Sequence, residues 1–322
     1  MTTSSTPTTT GHDAAHAGPV VRVSDLRKSY GTKVAVDGVS FTVDRGEIFG
    51  ILGPNGAGKT TTVECLAGLR QADSGSIELL GLDPQHDPTP VREVLGVQLQ
   101  ESKLPAKLRV REALELYASF YPDPEDPEAL ISLLGLGERR DTPYQNLSGG
   151  QQQRLSIALA LVGRPQVAIL DELTTGLDPQ ARREAWDLVE KVRDSGVTIV
   201  LVTHFMDEAE RLCDRLVVID RGRVVAEGTP GDLSGGSRGS RTFRVVLPVA
   251  PPEGLLTGLP SVTSVRDVGR ELEISGTDTV LPDAIAALSG CGIIPDEVRT
   301  RTRSLEDAFV ELVTRETEET AP

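Results

Sequence analysis

The chain has 322 residues, room for roughly two domains at about 150 residues each. It is 38% hydrophobic and 25% charged, as soluble globular proteins are, and its apolar runs, such as Val197–Val202, fall far short of the ~18–20 residues that cross a bilayer. A net charge of −15 argues against nucleic acid or anionic lipid as a bulk partner, because both bind basic surfaces.

Residues 1–19 are polar, with neither a basic start nor an apolar stretch, and are expected to be a disordered tail without a secretory signal. Cys65, Cys213 and Cys291 are far apart and form no metal or disulfide spacing, so inert thiols in a reduced, cytoplasmic setting are expected. Glu47–Leu52 is apolar and β-prone and predicts a buried strand. Gly53, Pro54, Asn55, Gly56, Ala57, Gly58, Lys59 and Thr60 then fit the G-x-x-x-x-G-K-[ST] pattern, and Thr61 follows. From Thr60 to Leu69, the spacing of Val63, Leu66, Ala67 and Leu69 predicts a helix.

Strand, glycine loop and helix are the context that marks a phosphate-binding loop. Gly56 and Gly58 let backbone N–H groups turn inward, and the helix N-terminus adds partial positive charge. Lys59 puts a point charge on the outer phosphates, and the Thr60 hydroxyl suits Mg²⁺. A ligand-free glycine turn is the plainer alternative. The motif alone specifies only a nucleoside triphosphate.

Further along, "VREALELYASFY" and "PEALISLLGLG" read as helices, punctuated by Pro122, Pro124, Pro127 and Gly135. The string "LSGG" occurs twice. In "NLSGGQQQR" (Asn146–Arg154) Ser148 suits an N-cap, and Leu155, Ala158, Leu159 and Val162 continue with helical spacing, which makes a second anion site at a helix start. In "DLSGGSRGS" (Asp232–Ser240) no periodicity follows, so Leu233–Gly236 reads as chance within a linker. Val167–Leu170 predicts a strand ending in Asp171, suited to hold Mg²⁺ through water, and Glu172, suited to polarise an attacking water. A solvated acidic pair is the alternative. Val197–Thr203 predicts a third strand, ending in His204, where a neutral or protonated ring could bond the γ-phosphate.

Taken together, Tyr30 in "KSYG", the glycine loop, Gln100 in "LQE", "LSGGQ", "ILDE", "GLD" ending at Asp178, and Thr203-His204 form an ordered set that closely resembles the ATP-binding cassette of ABC transporters over residues 20–232. The resemblance implies a P-loop NTPase α/β cassette: a mixed core sheet, flanking helices and a helical subdomain at about 101–163. It implies ATP and Mg²⁺ as ligands, Tyr30 stacked on adenine, and Gln100 linking Mg²⁺, with Thr60 and Asp171, to the transport partner. It also implies a head-to-tail dimer. There Ser148, Gly149, Gly150 and Gln151 meet ATP held by a second copy of the chain, and Asp178 communicates across the interface. With Glu172 and His204 both present, two competent sites are expected. Leu173 stands where many members of that family have proline, which bears on the path of the following loop.

Residues 233–241 read as a Gly/Ser linker, and residues 242–322 read as a small α+β ferredoxin-like domain with an appended helix. Within it, "PPEGLLTGL" suggests a short helix, and "SLEDAFVELVTRET" a final helix with Ser304 as N-cap. The "SLEDAFVEL" stretch resembles the accessory domain of daunorubicin/doxorubicin-type exporter ATPases. That implies an exporter subunit at the cytoplasmic face of the membrane, working with a separately encoded integral membrane permease and no nucleic acid. An importer ATPase and a soluble non-transport ABC ATPase are the alternatives. The accessory domain is either a stabilising appendage or a ligand-sensing one.

Overall fold

The computed structural model describes residues 18–99, 104–234, 241–301, 305, 306, 308 and 309. Residues 1–17 of the expected tail (1–19), Gln100, most of the linker and the C-terminal end lie outside them. In chain order the elements begin with β1 (Val21–Tyr30), β2 (Lys33–Val43), β3 (Ile48–Leu52), α1 (Lys59–Leu66), β4 (Ser74–Leu79), α2 (Pro88–Val94) and β5 (Leu95–Gln98). Then come α3 (Val110–Ala118), α4 (Pro127–Leu133), α5 (Gly149–Leu161), β6 (Val167–Asp171), α6 (Pro179–Asp194), β7 (Thr198–Thr203) and α7 (Met206–Leu212). The rest are β8 (Arg215–Asp220), β9 (Arg223–Gly228), α8 (Pro230–Leu233), β10 (Arg241–Val246), β11 (Val262–Val268), β12 (Glu271–Gly276), α9 (Val280–Gly290) and β13 (Glu297–Arg301).

The central sheet runs β5-β6-β7-β3-β8-β9, parallel throughout except for the antiparallel edge strand β9. Every residue of β3, β6 and β7 is buried, which is why these strands read as unbroken apolar runs: a parallel sheet is covered on both faces. Alternation divides their side chains. Phe49, Ile51, Ile169, Val200 and Val202 join the core beneath the antiparallel sheet β2-β1-β4, where Phe41 stacks on Phe49 at 5.3 Å. Ile48, Leu52, Leu170, Ile199 and Leu201 join the opposite core with α3, α4, α5 and α6. All three strands that end in candidate chemistry, β3, β6 and β7, are neighbours, so their C-terminal tips share one edge.

Two local differences from the sequence reading have clear causes. α1 stops at Leu66 rather than Leu69, because Gly68 turns left-handed (φ 67°). Leu233, expected in the linker, closes α8 and packs against the core instead.

In the C-terminal unit the sheet order is β11-β12-β10-β13, all antiparallel, with α9 over Phe243, Val245 and Ile274. The helix expected at "PPEGLLTGL" is a series of turns. Gly254 takes φ 82°, and Leu256 is buried without helical backbone. Of the final helix, Leu305, Glu306, Ala308 and Phe309 are helical, and Ser304 lies outside the described residues. Leu305 is 1% exposed within the core that holds α6 and α7, and its N–H meets the Glu210 carboxylate. Among the described residues no helix is long and apolar enough to cross a membrane.

Candidate active site

The glycine loop leaves β3 at Leu52 and enters α1 at Lys59. Its backbone is wedged against two other segments of the chain, β8 and β2. A Cβ at Gly53 would stand 2.2 Å from the Ile219 carbonyl oxygen, and one at Gly58 (φ 106°) 2.3 Å from that of Ala35. Both positions therefore require glycine. Ala57 points down into the apolar core, while Asn55, Gly56, Gly58, Thr60 and Thr61 line a cavity of about 320 Å³. Lys59, 4% exposed, donates from Nζ to the carbonyls of Gly53 (2.8 Å) and Pro54 (3.1 Å). Burial lowers its pKa, and Glu172 and Asp171 oppose that. It is thus a cation parked on its own loop, facing two carboxylates.

Tyr30, Lys33 and Ala35 form one wall of the cavity, and Glu172 stands in the lining too. The Arg70 guanidinium lies 5.2 Å from the Tyr30 ring centroid and the Lys28 ammonium 5.8 Å from it, both in cation–π range.

Asp171 ends β6 with 1% exposure, and neither carboxylate oxygen has a hydrogen-bond partner among the described residues. Burial first, then the neighbouring Glu172, raises its pKa to about 6 against the pull of Lys59. Two orphaned, buried oxygens beside a phosphate-type loop fit a hard divalent cation, with the Thr60 hydroxyl as a second oxygen donor. Glu172 follows with φ 49°, a left-handed backbone that costs a glutamate of order 1–3 kcal/mol and persists where the surroundings over-determine it. Its N–H donates to the Val202 carbonyl (2.9 Å), and its Oε1 lies 3.2 Å from His204 Nδ1. The carboxylate is 8% exposed and the imidazole 26%. Phe205 packs on the imidazole at 4.0 Å.

The second phosphate-type helix start stands elsewhere. Ser148 caps α5: its Oγ accepts from the Gln151 N–H (3.3 Å), while the Gln151 Oε1 accepts from the Ser148 N–H (3.0 Å). Each side chain keeps a donor free for another acceptor. Asp178 caps α6, accepting from Gln180 and Ala181, and these two bonds lower its pKa. Neither Ser148, Gly149, Gly150 and Gln151 nor Asp178 is among the residues lining the Lys59 cavity. Tyr30, the loop and Glu172 therefore share the cavity, Asp171 and His204 adjoin Glu172, and Ser148–Gln151 and Asp178 do not line it.

Sequence reasoning missed Gln98. It is 3% exposed, and its Nε2 donates to the carbonyls of Leu99 (2.9 Å) and Asp171 (3.3 Å). A polar residue closing an apolar strand was the available signal. A second cavity, about 420 Å³, opens between α2, β5 and the helical region, lined by Leu69, Leu99, Leu104, Tyr117, Tyr121 and Tyr144 among others.

Fold and site together define a nucleotide-binding ATPase of the P-loop type. The ABC transporter family pattern matches residues 36–175. The chain is 36% identical to the daunorubicin resistance ATP-binding protein DrrA3 of Streptomyces coeruleorubidus over 305 residues, 92% of this chain and 96% of that one. It is 43% identical to the Nod factor export ATP-binding protein I of Ralstonia nicotianae over 220 residues, 67% of this chain and 68% of that one. Among solved structures, cbiO1 of Clostridium perfringens, part of an ABC transporter complex, superposes with a TM-score of 0.62 at 30% identity, covering 67% of this chain and 91% of that one. The protein belongs to the ATP-binding subunits of ABC transporters. It is an ATP-binding ATPase of that family, as the ordered motifs led us to expect.

Proposed function

We propose that this chain is the ATPase subunit of an ABC exporter, active as a head-to-tail pair that powers a separate membrane permease at the cytoplasmic face. The observation that carries this reading is the division of the phosphate-binding parts. One chain offers a cavity lined by Lys59 and Glu172, with Asp171 and His204 next to Glu172, while its second anion-binding helix start, at Ser148, does not line that cavity. A second copy, turned head to tail, supplies what the cavity lacks. The names of the drug-resistance and Nod factor export relatives favour outward transport.

In this reading Tyr30 stacks on the adenine, with Arg70 supporting its ring. The loop N–H groups and Lys59 hold the phosphates; Lys59 exchanges its carbonyl partners for them. Mg²⁺ would be held by Thr60, Asp171 and Gln100 and would neutralise charge on the phosphate oxygens. Glu172 orients and polarises the attacking water, and His204, through its contact with Glu172, faces the γ-phosphate. Ser148 to Gln151 of the opposite copy close the site, so ATP favours the closed pair because only that state makes these contacts. Asp178 sits where the two copies exchange information. The Tyr-lined groove at Leu99 and Leu104 takes a short helix of the permease. Residues 242–322 form an accessory domain.

The test is Glu172→Gln, which keeps the shape and removes the carboxylate. It is expected to bind ATP with Mg²⁺, to lose hydrolysis, and to run as a dimer on size exclusion in ATP. A variant that stays monomeric under those conditions would refute the paired site.

A further inference from the structure

Two side chains outside the chemistry above, Arg182 and Phe205, connect α6 to His204. Arg182 stands in the first turn of α6, where its N–H donates to the Asp178 carbonyl (2.9 Å). Phe205 is the N-cap residue of α7. Its N–H donates to Thr203 Oγ1 (3.0 Å), and its carbonyl accepts from the Ala209 N–H (3.2 Å), so its backbone is held on both sides.

The Arg182 side chain reaches the start of α7 twice. Nη1 donates to Asp207 Oδ2 (3.0 Å), and the guanidinium carbon lies 4.6 Å from the Phe205 ring centroid, well within cation–π range. The same phenyl ring lies 4.0 Å from the His204 imidazole, centroid to centroid, at an interplanar angle of 40°. The imidazole in turn meets Glu172 through Nδ1 at 3.2 Å. These contacts run without a gap from the helix that Asp178 caps to the Glu172–His204 pair. A single hydrogen bond leaves an imidazole able to pivot about it. A ring packed on the imidazole removes that freedom, and orientation of this kind is worth rate rather than affinity.

We propose that Arg182 is a positioning residue for hydrolysis: anchored on Asp207, its guanidinium holds the Phe205 ring, and that ring keeps the His204 imidazole turned with Nδ1 on Glu172 and Nε2 toward the γ-phosphate. The inference rests on the reading of Glu172 and His204 as the catalytic pair. It assigns Arg182 and Phe205 no contact with ATP.

The test uses the full chain. Phe205→Leu stays apolar and loses the ring, Phe205→Tyr keeps the ring, and Arg182→Gln removes the cation from both Asp207 and the ring. Urea denaturation followed by the emission of Trp186, the single tryptophan, checks the fold of each. In single-turnover hydrolysis we expect Phe205→Leu and Arg182→Gln to be about tenfold slower or more, with ATP affinity within about twofold of wild type, and Phe205→Tyr to keep most activity. The decisive comparison adds Phe205→Leu to His204→Ala. If the ring acts through the imidazole, the double variant is no slower than His204→Ala alone. A merely structural role multiplies the two losses, about tenfold further down, and that result overturns the proposal. A tyrosine variant as stable as wild type but as slow as the leucine one overturns it too. Should Phe205→Leu not fold, Arg182→Gln takes its place in the double variant. His204→Ala also separates the two levels of the argument. If it hydrolyses ATP at the wild-type rate, the catalytic pair itself is misread and the proposal goes with it. If it is slow while Phe205→Leu and Arg182→Gln turn over like wild type, only the role of Arg182 and Phe205 falls.

Discussion

His204 Nδ1 lies 3.2 Å from Glu172 Oε1, joining the loop after β7 to the tip of β6. The contact is made on the cavity edge, with the carboxylate 8% exposed and the ring 26%. An imidazole so placed can hold the carboxylate and still turn toward a phosphate.

His204→Ala removes that partner while leaving the loop lysine and Tyr30 in place. ATP binding is expected to stay within a few-fold, and hydrolysis to fall about a hundredfold or more. Equilibrium nucleotide binding and single-turnover hydrolysis, measured on the same preparation, separate the two. A parallel loss of both would assign His204 to binding instead.

The two "LSGG" copies are expected to behave oppositely. Ser148→Ala removes the α5 N-cap, costing about 1 kcal/mol of stability, and abolishes turnover while one chain still binds ATP. Ser234 is half-buried and its hydroxyl donates to the Gly231 carbonyl (3.1 Å) within its own turn, so Ser234→Ala should leave turnover unchanged. Titrating enzyme concentration in the ATPase assay checks both, since a composite site loses specific activity on dilution.

Asp171 provides a pH test. Its folded pKa of about 6 lies above the ordinary 3.8, raised first by burial and then by Glu172. An acid whose pKa is raised by folding contributes stability at pH below about 4. That contribution is lost as pH climbs through about 6, of order 3 kcal/mol in all. Melting curves with chelator should therefore fall across that window, and Asp171→Asn should flatten the fall. Protons and Mg²⁺ compete for the same oxygens, so the affinity for Mg²⁺ with ATP should weaken below about pH 6. A flat profile in the wild type would contradict the burial argument.

Leu305 tests the attachment of the chain's C-terminal part. It is 1% exposed in the core shared by α6 and α7. Leu305→Ala should cost about 2–5 kcal/mol of stability in chemical denaturation. A change below about 0.5 kcal/mol would mean that the contact does not form in solution.

The phosphate loop, the Asp171-Glu172 strand end and the Ser148 cap were legible because each is local. A strand, a turn and a helix start within some ten residues carry their own spacing. The turns at 252–259 were not, because Leu255, Leu256 and Leu259 have helical spacing yet sit between prolines and two glycines, one of them left-handed at Gly254. Burial of Leu256 needed only an inward side chain, not a helix. α1 was overrun for a similar reason: apolar spacing continues to Leu69, but Leu69 is 60% exposed beyond the Gly68 turn.

By itself the sequence determined the kind of chemistry, since phosphate, cation and water each need specific groups at short, fixed separations along the chain. Only the tertiary structure decided which of those groups share a cavity. Neighbouring strands β3, β6 and β7 carry Lys59, Glu172 and His204 to one edge, although more than a hundred residues separate the first from the last. It also decided that the buried Glu208 carboxylate accepts from Trp186 on another helix. The physical reason is that a buried carboxylate is stabilised by donors from separate elements. Their convergence follows from packing, which no short window of residues encodes.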